Sequence, residues 1–267
     1  MLKTILTRFI GSVALGYWEA RAYREIMAIN TLQQAPKQMV MACGPGLYQP
    51  TPAKKLESLH WFLKVLPYLL PMDDSLSSAV LWHNDLHDEN IFVDPENPTK
   101  ILGIIDWQST EVTPLCANRL DPSFLDRDGL VVGDDLERPE LPVDYDLLPE
   151  TEKSTAMKLY MDMSMMVVWR RLVKKKNMTQ YSATNFQKST AWNILHMSGR
   201  VFQFEEAHLR ALILALRDEW QDIPSIKASK DTPPFPIAFI ESQVCQIGED
   251  LAKSDAGIHV MSTLEKH

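Results

Sequence analysis

Apolar residues recur at near-helical spacing through most of the chain, and one central stretch breaks the rhythm. At the N-terminus Leu2, Ile5, Leu6, Phe9, Ile10 and Val13 follow that spacing, which continues through Tyr17, Trp18, Ala22 and Ile26. Pro52 opens a helix predicted over Ala53 to Leu70, with Leu56, Leu59, Phe62, Leu63, Leu66 and Leu69 along one side and Pro71 as its stop. A long helix is predicted from Glu152 to Lys175, where Met157, Tyr160, Met161, Met165, Val168, Trp169 and Leu172 fall near helical spacing. Its methionines suit core filling, and Lys174, Lys175 and Lys176 complement the dipole at its C-terminal end. Two further helices are expected near Ala183 to Ser198 and Glu205 to Gln221. The run Asp231 to Pro236 is a break, a last helix is expected over Pro236 to Leu251, and residues 253–267 read as a frayed tail.

Between these helices, residues 79–108 carry strand patterning. Ala79 to Trp82 is a short apolar run, Ile91 to Val93 a second, and Ile101 to Ile105 a third with the character of a buried strand. Pro95, Glu96, Asn97 and Pro98 are dense turn chemistry between the last two. A hairpin is therefore predicted with Asn90 at one end and Asp106 at the other, which antiparallel pairing brings side by side.

Composition narrows the picture. The chain has 267 residues, 45% hydrophobic and 23% charged, enough apolar material for one large domain or two small ones. The formal charge is −8 with no basic stripe, which argues against nucleic acid or an anionic membrane as the main partner. No apolar run reaches the roughly 18 residues of a membrane span. The three cysteines, Cys43, Cys116 and Cys245, are widely spaced and odd in number, which fits an intracellular, reducing compartment. Residues 1–18 carry Lys3, Arg8 and three hydroxyl residues without an acid. They read either as a mitochondrial presequence or as the first amphipathic core helix, so cytoplasm and mitochondrion both stay open.

The stretch LWHNDLHDENIFVDPENPTKILGIIDWQ, residues 81–108, holds the candidate chemistry. Asp85, in the turn after a strand, is placed to act as general base toward a hydroxyl. Asn90 and Asp106 offer oxygen ligands to magnesium, which a nucleotide's phosphates and water would complete. His83 suits a structural bond to the backbone beneath that site, and His87 is a candidate phosphate contact. Asp88, Glu89 and Asp94 fit ordinary turn and cap roles instead. His83 and His87 also form an HxxxH pair, but a zinc hydrolase helix needs glutamate where Asn84 stands. The glycine pair Gly44 and Gly46 fits no phosphate-loop spacing and is read as a turn.

HNDLHDEN followed by GIIDWQ resembles the aminoglycoside phosphotransferase and choline kinase-like family, which shares the protein-kinase fold. More narrowly the chain is similar to a fungal branch that includes the altered-inheritance-of-mitochondria type proteins. That likeness rests on Arg24-Glu25, Cys43 to Tyr48, Ala53 to Leu56, Val65 to Pro71, residues 81–108, and Pro122 to Gly129. It covers roughly residues 20–230. The resemblance implies ATP as co-substrate, Mg2+, a small hydroxylated substrate, Asp85 as base, Asn90 and Asp106 as the metal and nucleotide-binding pair, and His83 as the structural histidine. Asn84 stands where the family often has glycine, and Trp107 follows the metal aspartate, as is usual in this family.

Kinase-like folds place a strand-rich lobe ahead of this point, with a Gly-rich loop and a strand lysine. Only 82 residues precede His83 here; they read as helices, and Lys3 lies in the wrong context for that lysine. The expected fold class is α+β, mainly α: a kinase-like C-terminal lobe with small β-hairpins around the catalytic loop, and no N-terminal nucleotide-clamping lobe. The expected divisions are residues 1–20 as helix or targeting segment, 21–252 as the phosphotransferase-like domain, and 253–267 as tail. Two functions are weighed: ATP- and magnesium-dependent phosphorylation of a small metabolite's hydroxyl, and an inactive kinase-like module that binds either nothing detectable or a partner, for which the docking face of the absent lobe is a candidate surface. Residues 112–150 add five prolines and ten acids, among them Asp121, Asp126, Asp128, Asp134, Asp144 and Asp146. That acidic connection reads equally as a seat for a cationic substrate and as a solvated loop.

Overall fold

A computed structural model of the chain describes residues 13–32, 48–122, 124–125, 132–203 and 206–264. Residues 1–12 of the possible presequence, the Gly44 and Gly46 turn, and Asp126 and Asp128 lie outside the described residues. Helices α1 (Val13–Thr31) and α2 (Pro52–Leu69) precede strands β1 (Ala79–Trp82), β2 (Ile91–Val93), β3 (Ile101–Ile104) and β4 (Glu111–Pro114). Helices α3 (Glu150–Lys176), α4 (Met178–Phe186), α5 (Thr190–Ser198), α6 (Ala207–Asp218) and α7 (Glu241–Leu264) follow. The fold is thus mainly helical with two small antiparallel sheets. None of the described helices is long and apolar enough to cross a membrane.

The chain divides into two compact units, one of residues 1–78 with 186–267, the other of residues 79–185. The first is helical. Pro52 sits in the opening turn of α2, where a missing N–H costs nothing, and the Thr51 hydroxyl accepts from Lys54 N at 3.3 Å. One face of α2 then buries Leu59, Phe62, Val65, Leu66 and Leu69. Trp18 and Ala22 of α1 are also buried, as are Ile194 and Leu195 of α5, Leu209, Ile213 and Leu216 of α6, and Ile247 of α7.

Polar groups enter this core only as a bonded set. Arg210, 2% exposed, donates to Asp250 Oδ2 at 3.1 Å and to Glu57 Oε2 at 3.0 Å, over the Trp61 ring. Lys54 Nζ meets the same Asp250 oxygen at 2.6 Å. The buried Tyr48 hydroxyl donates to Glu206 Oε1 at 2.7 Å. Burial first, and that bond second, raise the Tyr48 phenol far above its ordinary range.

Several helix boundaries differ from the sequence expectation. The stretch expected as one helix over 183–198 is two, because Ser189 caps a new start by accepting from Trp192 N at 3.1 Å. The last helix begins at Glu241, not Pro236, since Pro234 and Pro236 withhold backbone donors. It then runs to Leu264 through residues expected to fray, held on one side by buried Ile247, Asp250 and Ser254.

The 79–185 unit nests one hairpin inside another. β1 pairs antiparallel with β4, Ala79 opposite Pro114 and Trp82 opposite Glu111. β2 pairs antiparallel with β3, Ile91 opposite Ile104. β4 falls in a region the sequence left irregular, because Glu111-Val112-Thr113-Pro114 is too short and too close to prolines to stand out. The strand expected as buried is not: Ile101 and Leu102 are nearly 60% exposed, at 59% and 58%. A lone two-stranded hairpin has no second layer to cover both faces. The β2–β3 turn is closed by Asp94, which accepts from Glu96 N at 3.0 Å and pairs with Lys100 Nζ at 3.1 Å. Those two contacts, the backbone one larger, hold the Asp94 carboxyl below its usual range.

Candidate functional site

The nesting of the hairpins puts two junctions next to each other. Residues 83–90 lead from β1 to β2, and residues 105–110 lead from β3 to β4. Ile105 locks the junctions together. Its N–H donates to Asn90 O at 3.0 Å, and its carbonyl faces His83 Nε2 at 2.8 Å. A carbonyl can only accept, so His83 Nε2 carries the proton. Trp107 packs edge-on against the His83 ring at 4.9 Å between centroids, and its indole N–H donates to Ile104 O at 2.8 Å. His83 therefore bonds the backbone beside Asp106.

Asn90 organises the other junction. It is 5% exposed, and its Nδ2 donates to Asp85 O at 2.9 Å. That bond fixes the amide orientation, since a main-chain carbonyl would repel the amide oxygen. Nδ2 also lies 3.1 Å from His87 Nε2, which must then accept. With both nitrogen hydrogens spent, Oδ1 is the Asn90 atom left to face a ligand. His87 is thus engaged with Asn90 by one nitrogen, and its other, Nδ1, stands 4.0 Å from the exposed Glu89 carboxylate.

Asp106 adopts the left-handed conformation, with φ 61° and ψ 53°. A non-glycine residue enters that region at a cost of about 1–2 kcal/mol, which Asp and Asn bear best. Asp85 and Asp106 are both exposed. The structure therefore gathers His83, Asp85, His87, Asn90 and Asp106 around two adjoining junctions through the bonds of Asn90 and Ile105. Among the described residues no cluster of three His, Cys, Asp or Glu side chains is set to hold a metal ion. One amide oxygen and one exposed carboxylate match instead an ion that takes few protein ligands and keeps water and phosphate, as magnesium does.

Sequence patterning did not point to a cavity beside these junctions, lined by Trp82, Trp107, Trp169, Arg119 and Gln180 among others. Its lining comes from five separated stretches, residues 81–86, 107, 119–122, 169 and 180, and no spacing rule links them. Two buried nitrogens of its lining residues, His83 Nδ1 and Trp169 Nε1, have no hydrogen-bond partner. The Cys116 thiol is buried, which pushes its pKa up to about 12 and removes it as a nucleophile.

Residues 29–117 match the phosphotransferase enzyme family. Two relatives are proteins of Aspergillus fumigatus, from two strains, each described as a subtelomeric hrmA-associated cluster protein. Each is 24% identical over 234 residues, covering 83% of this chain. The chain spans 42% of the length of these relatives. No solved structure matches the chain. The matched segment contains both junctions, so the likeness to the phosphotransferase enzyme family falls on the candidate site itself.

Proposed function

We propose that the chain is the large-lobe part of an ATP- and Mg2+-dependent phosphotransferase that acts on a hydroxyl of a small molecule. Asp85 accepts the hydroxyl proton as the substrate oxygen bonds to the γ-phosphorus and ADP leaves. Asn90 and Asp106 are the residues that would hold Mg2+, whose charge offsets that of the phosphates when bound. His83 positions Ile105 and with it Asp106; His87 holds the Asn90 amide, and its Nδ1 is the atom left for a phosphate contact. The observation that carries this reading is the bond from Asn90 Nδ2 to Asp85 O, which ties base and metal ligand into one frame and leaves the amide oxygen as the atom that bond does not use.

Thermal unfolding of the full chain with and without millimolar Mg2+-ATP tests it. A ligand that binds only the folded state raises Tm as its concentration passes Kd. A rise that needs both metal and nucleotide, and shrinks in Asp106→Asn, is the expected result. A Tm indifferent to Mg2+-ATP would count against catalysis and favour an inactive kinase-like module.

A further inference from the structure

The cavity beside the two junctions has a volume of about 260 Å³ and lies wholly within the 79–185 unit. Its walls include three indoles, Trp82 from β1, Trp107 from the segment after Asp106, and Trp169 from α3. Two of the rings are pinned by their own N–H groups, Trp82 to Arg119 O at 2.9 Å and Trp107 to Ile104 O at 2.8 Å. Pinned rings are pre-set stacking faces, since little freedom remains to be lost when a ligand arrives. Asn84 and Leu86, the chain neighbours of Asp85 on either side, also line the cavity. A ligand seated there lies next to the proposed base.

Charge decides which ligand fits. Indole faces attract cations as well as planar rings. Among the described residues the one acid lining this cavity is Asp121, and it is already paired with Arg170 at 2.7 Å. Arg119 lines the cavity too. Asp134, Asp135, Glu137, Glu140, Asp144 and Asp146 of the acidic connection are exposed and stand outside the lining. An incoming cation thus meets, among the described lining residues, only a carboxylate already committed to Arg170, whereas a neutral ring meets stacking surface. The volume corresponds to roughly nine water molecules at about 30 Å³ each, room for one ring with a short arm.

We propose that this cavity is the acceptor pocket and that it takes a neutral, planar aromatic alcohol. The assignment rests on the phosphotransferase reading for what happens next: the alcohol oxygen bonds to the γ-phosphorus, the phosphorus–oxygen bond to ADP breaks, and the alcohol proton passes to Asp85. An oxygen on the ligand that reaches Trp169 Nε1 also satisfies a buried donor, which otherwise costs the fold the desolvation of that group.

The test titrates the full chain with cinnamyl alcohol, a neutral planar alcohol that is not an indole, and separately with choline, a small cationic alcohol. Tryptophan fluorescence and ligand-observed saturation-transfer NMR follow binding without nucleotide or metal. The expected result is saturable binding of cinnamyl alcohol and none of choline. Trp169→Leu should weaken it about three- to tenfold, the loss of one aromatic contact. Leu86→Trp, which fills the cavity from its other side, should abolish it while the protein still melts cooperatively. Preference for choline, no saturable binding of cinnamyl alcohol, or binding unchanged in both folded variants overturns the proposal. The Mg2+-ATP melt is read on the same sample. Nucleotide binding without alcohol binding sinks the pocket assignment alone. Alcohol binding in a protein indifferent to Mg2+-ATP upholds the ligand class and sinks the phosphotransferase reading.

Discussion

The side-chain nitrogen of Asn90 donates to the main-chain carbonyl of Asp85 at 2.9 Å, across five residues of sequence. The bond closes the loop between β1 and β2, and it commits the amide so that its oxygen is the atom left over. One side chain thus shapes the loop with its nitrogen and offers its oxygen to a ligand.

Those two jobs separate under substitution. Asn90→Asp keeps an oxygen but removes the donor that Asp85 O and His87 Nε2 accept from. It should lower stability by about 1–3 kcal/mol, the cost of leaving buried polar groups unmet. Asn90→Ala removes donor and oxygen together. If the oxygen holds Mg2+, the alanine variant should lose the Mg2+-dependent part of nucleotide stabilisation completely, while the aspartate variant keeps some of it. Thermal melts at several Mg2+ concentrations give both numbers.

Asp106 predicts an opposition between stability and activity. Its left-handed backbone is strained for an aspartate and free for a glycine. Asp106→Gly should leave Tm unchanged or raise stability by up to about 1 kcal/mol. Asp106→Asn, which tolerates the same conformation, should leave Tm in place. Both should abolish Mg2+-dependent ATP turnover on the proposed function, by at least about a hundredfold given the size of such electrostatic contributions. A clear drop in Tm for either variant would show that the carboxylate is a structural cap.

How far the sequence foretold this site depends on distance along the chain. The hairpin of β2 and β3 was legible because Asp94, Asn97 and the two prolines of its turn act within a few residues. The closeness of Asn90 to Asp106 followed from that hairpin, and His83 from its nearness to both. The partner of β1 was not legible: β4 lies about thirty residues on, and pairing at that range leaves no local signature. The aromatic cavity was hidden for the same reason, since Trp82 and Trp169 meet only through the tertiary fold. The break between α4 and α5 was missed differently, because Ser189 looks like any serine until it accepts from Trp192 N.

His196 gives the helical unit a pH dependence. Burial, then the nearby Arg200 and Arg21, lower its pKa below the ordinary 6.5. The folded state therefore holds this ring neutral, while the unfolded chain binds a proton more readily. Stability is complete above the unfolded value and falls as pH drops through about 6.5 toward the folded value. Melts from pH 8 to pH 5 should show Tm falling in that window. In His196→Gln the fall should be shallower. An identical slope in the variant would assign the pH dependence elsewhere.

Arg210 carries the last prediction, which concerns the core of the 1–78 and 186–267 unit. It is 2% exposed and bonded to Asp250 and Glu57 together. A buried cation is tolerated only because those carboxylates are there, and they in turn depend on it. Arg210→Met keeps much of the volume over Trp61 but leaves Asp250 to Lys54 alone and Glu57 to the 3.5 Å contact with Gln243. The loss should be about 3–5 kcal/mol, as for other buried pairs with one partner removed. Adding Asp250→Asn and Glu57→Gln to Arg210→Met removes the uncompensated charges and should restore part of it. Chemical denaturation of the single and triple variants measures both steps. If the triple variant is no more stable than the single one, packing of the guanidinium on Trp61, and not charge balance, is what Arg210 contributes.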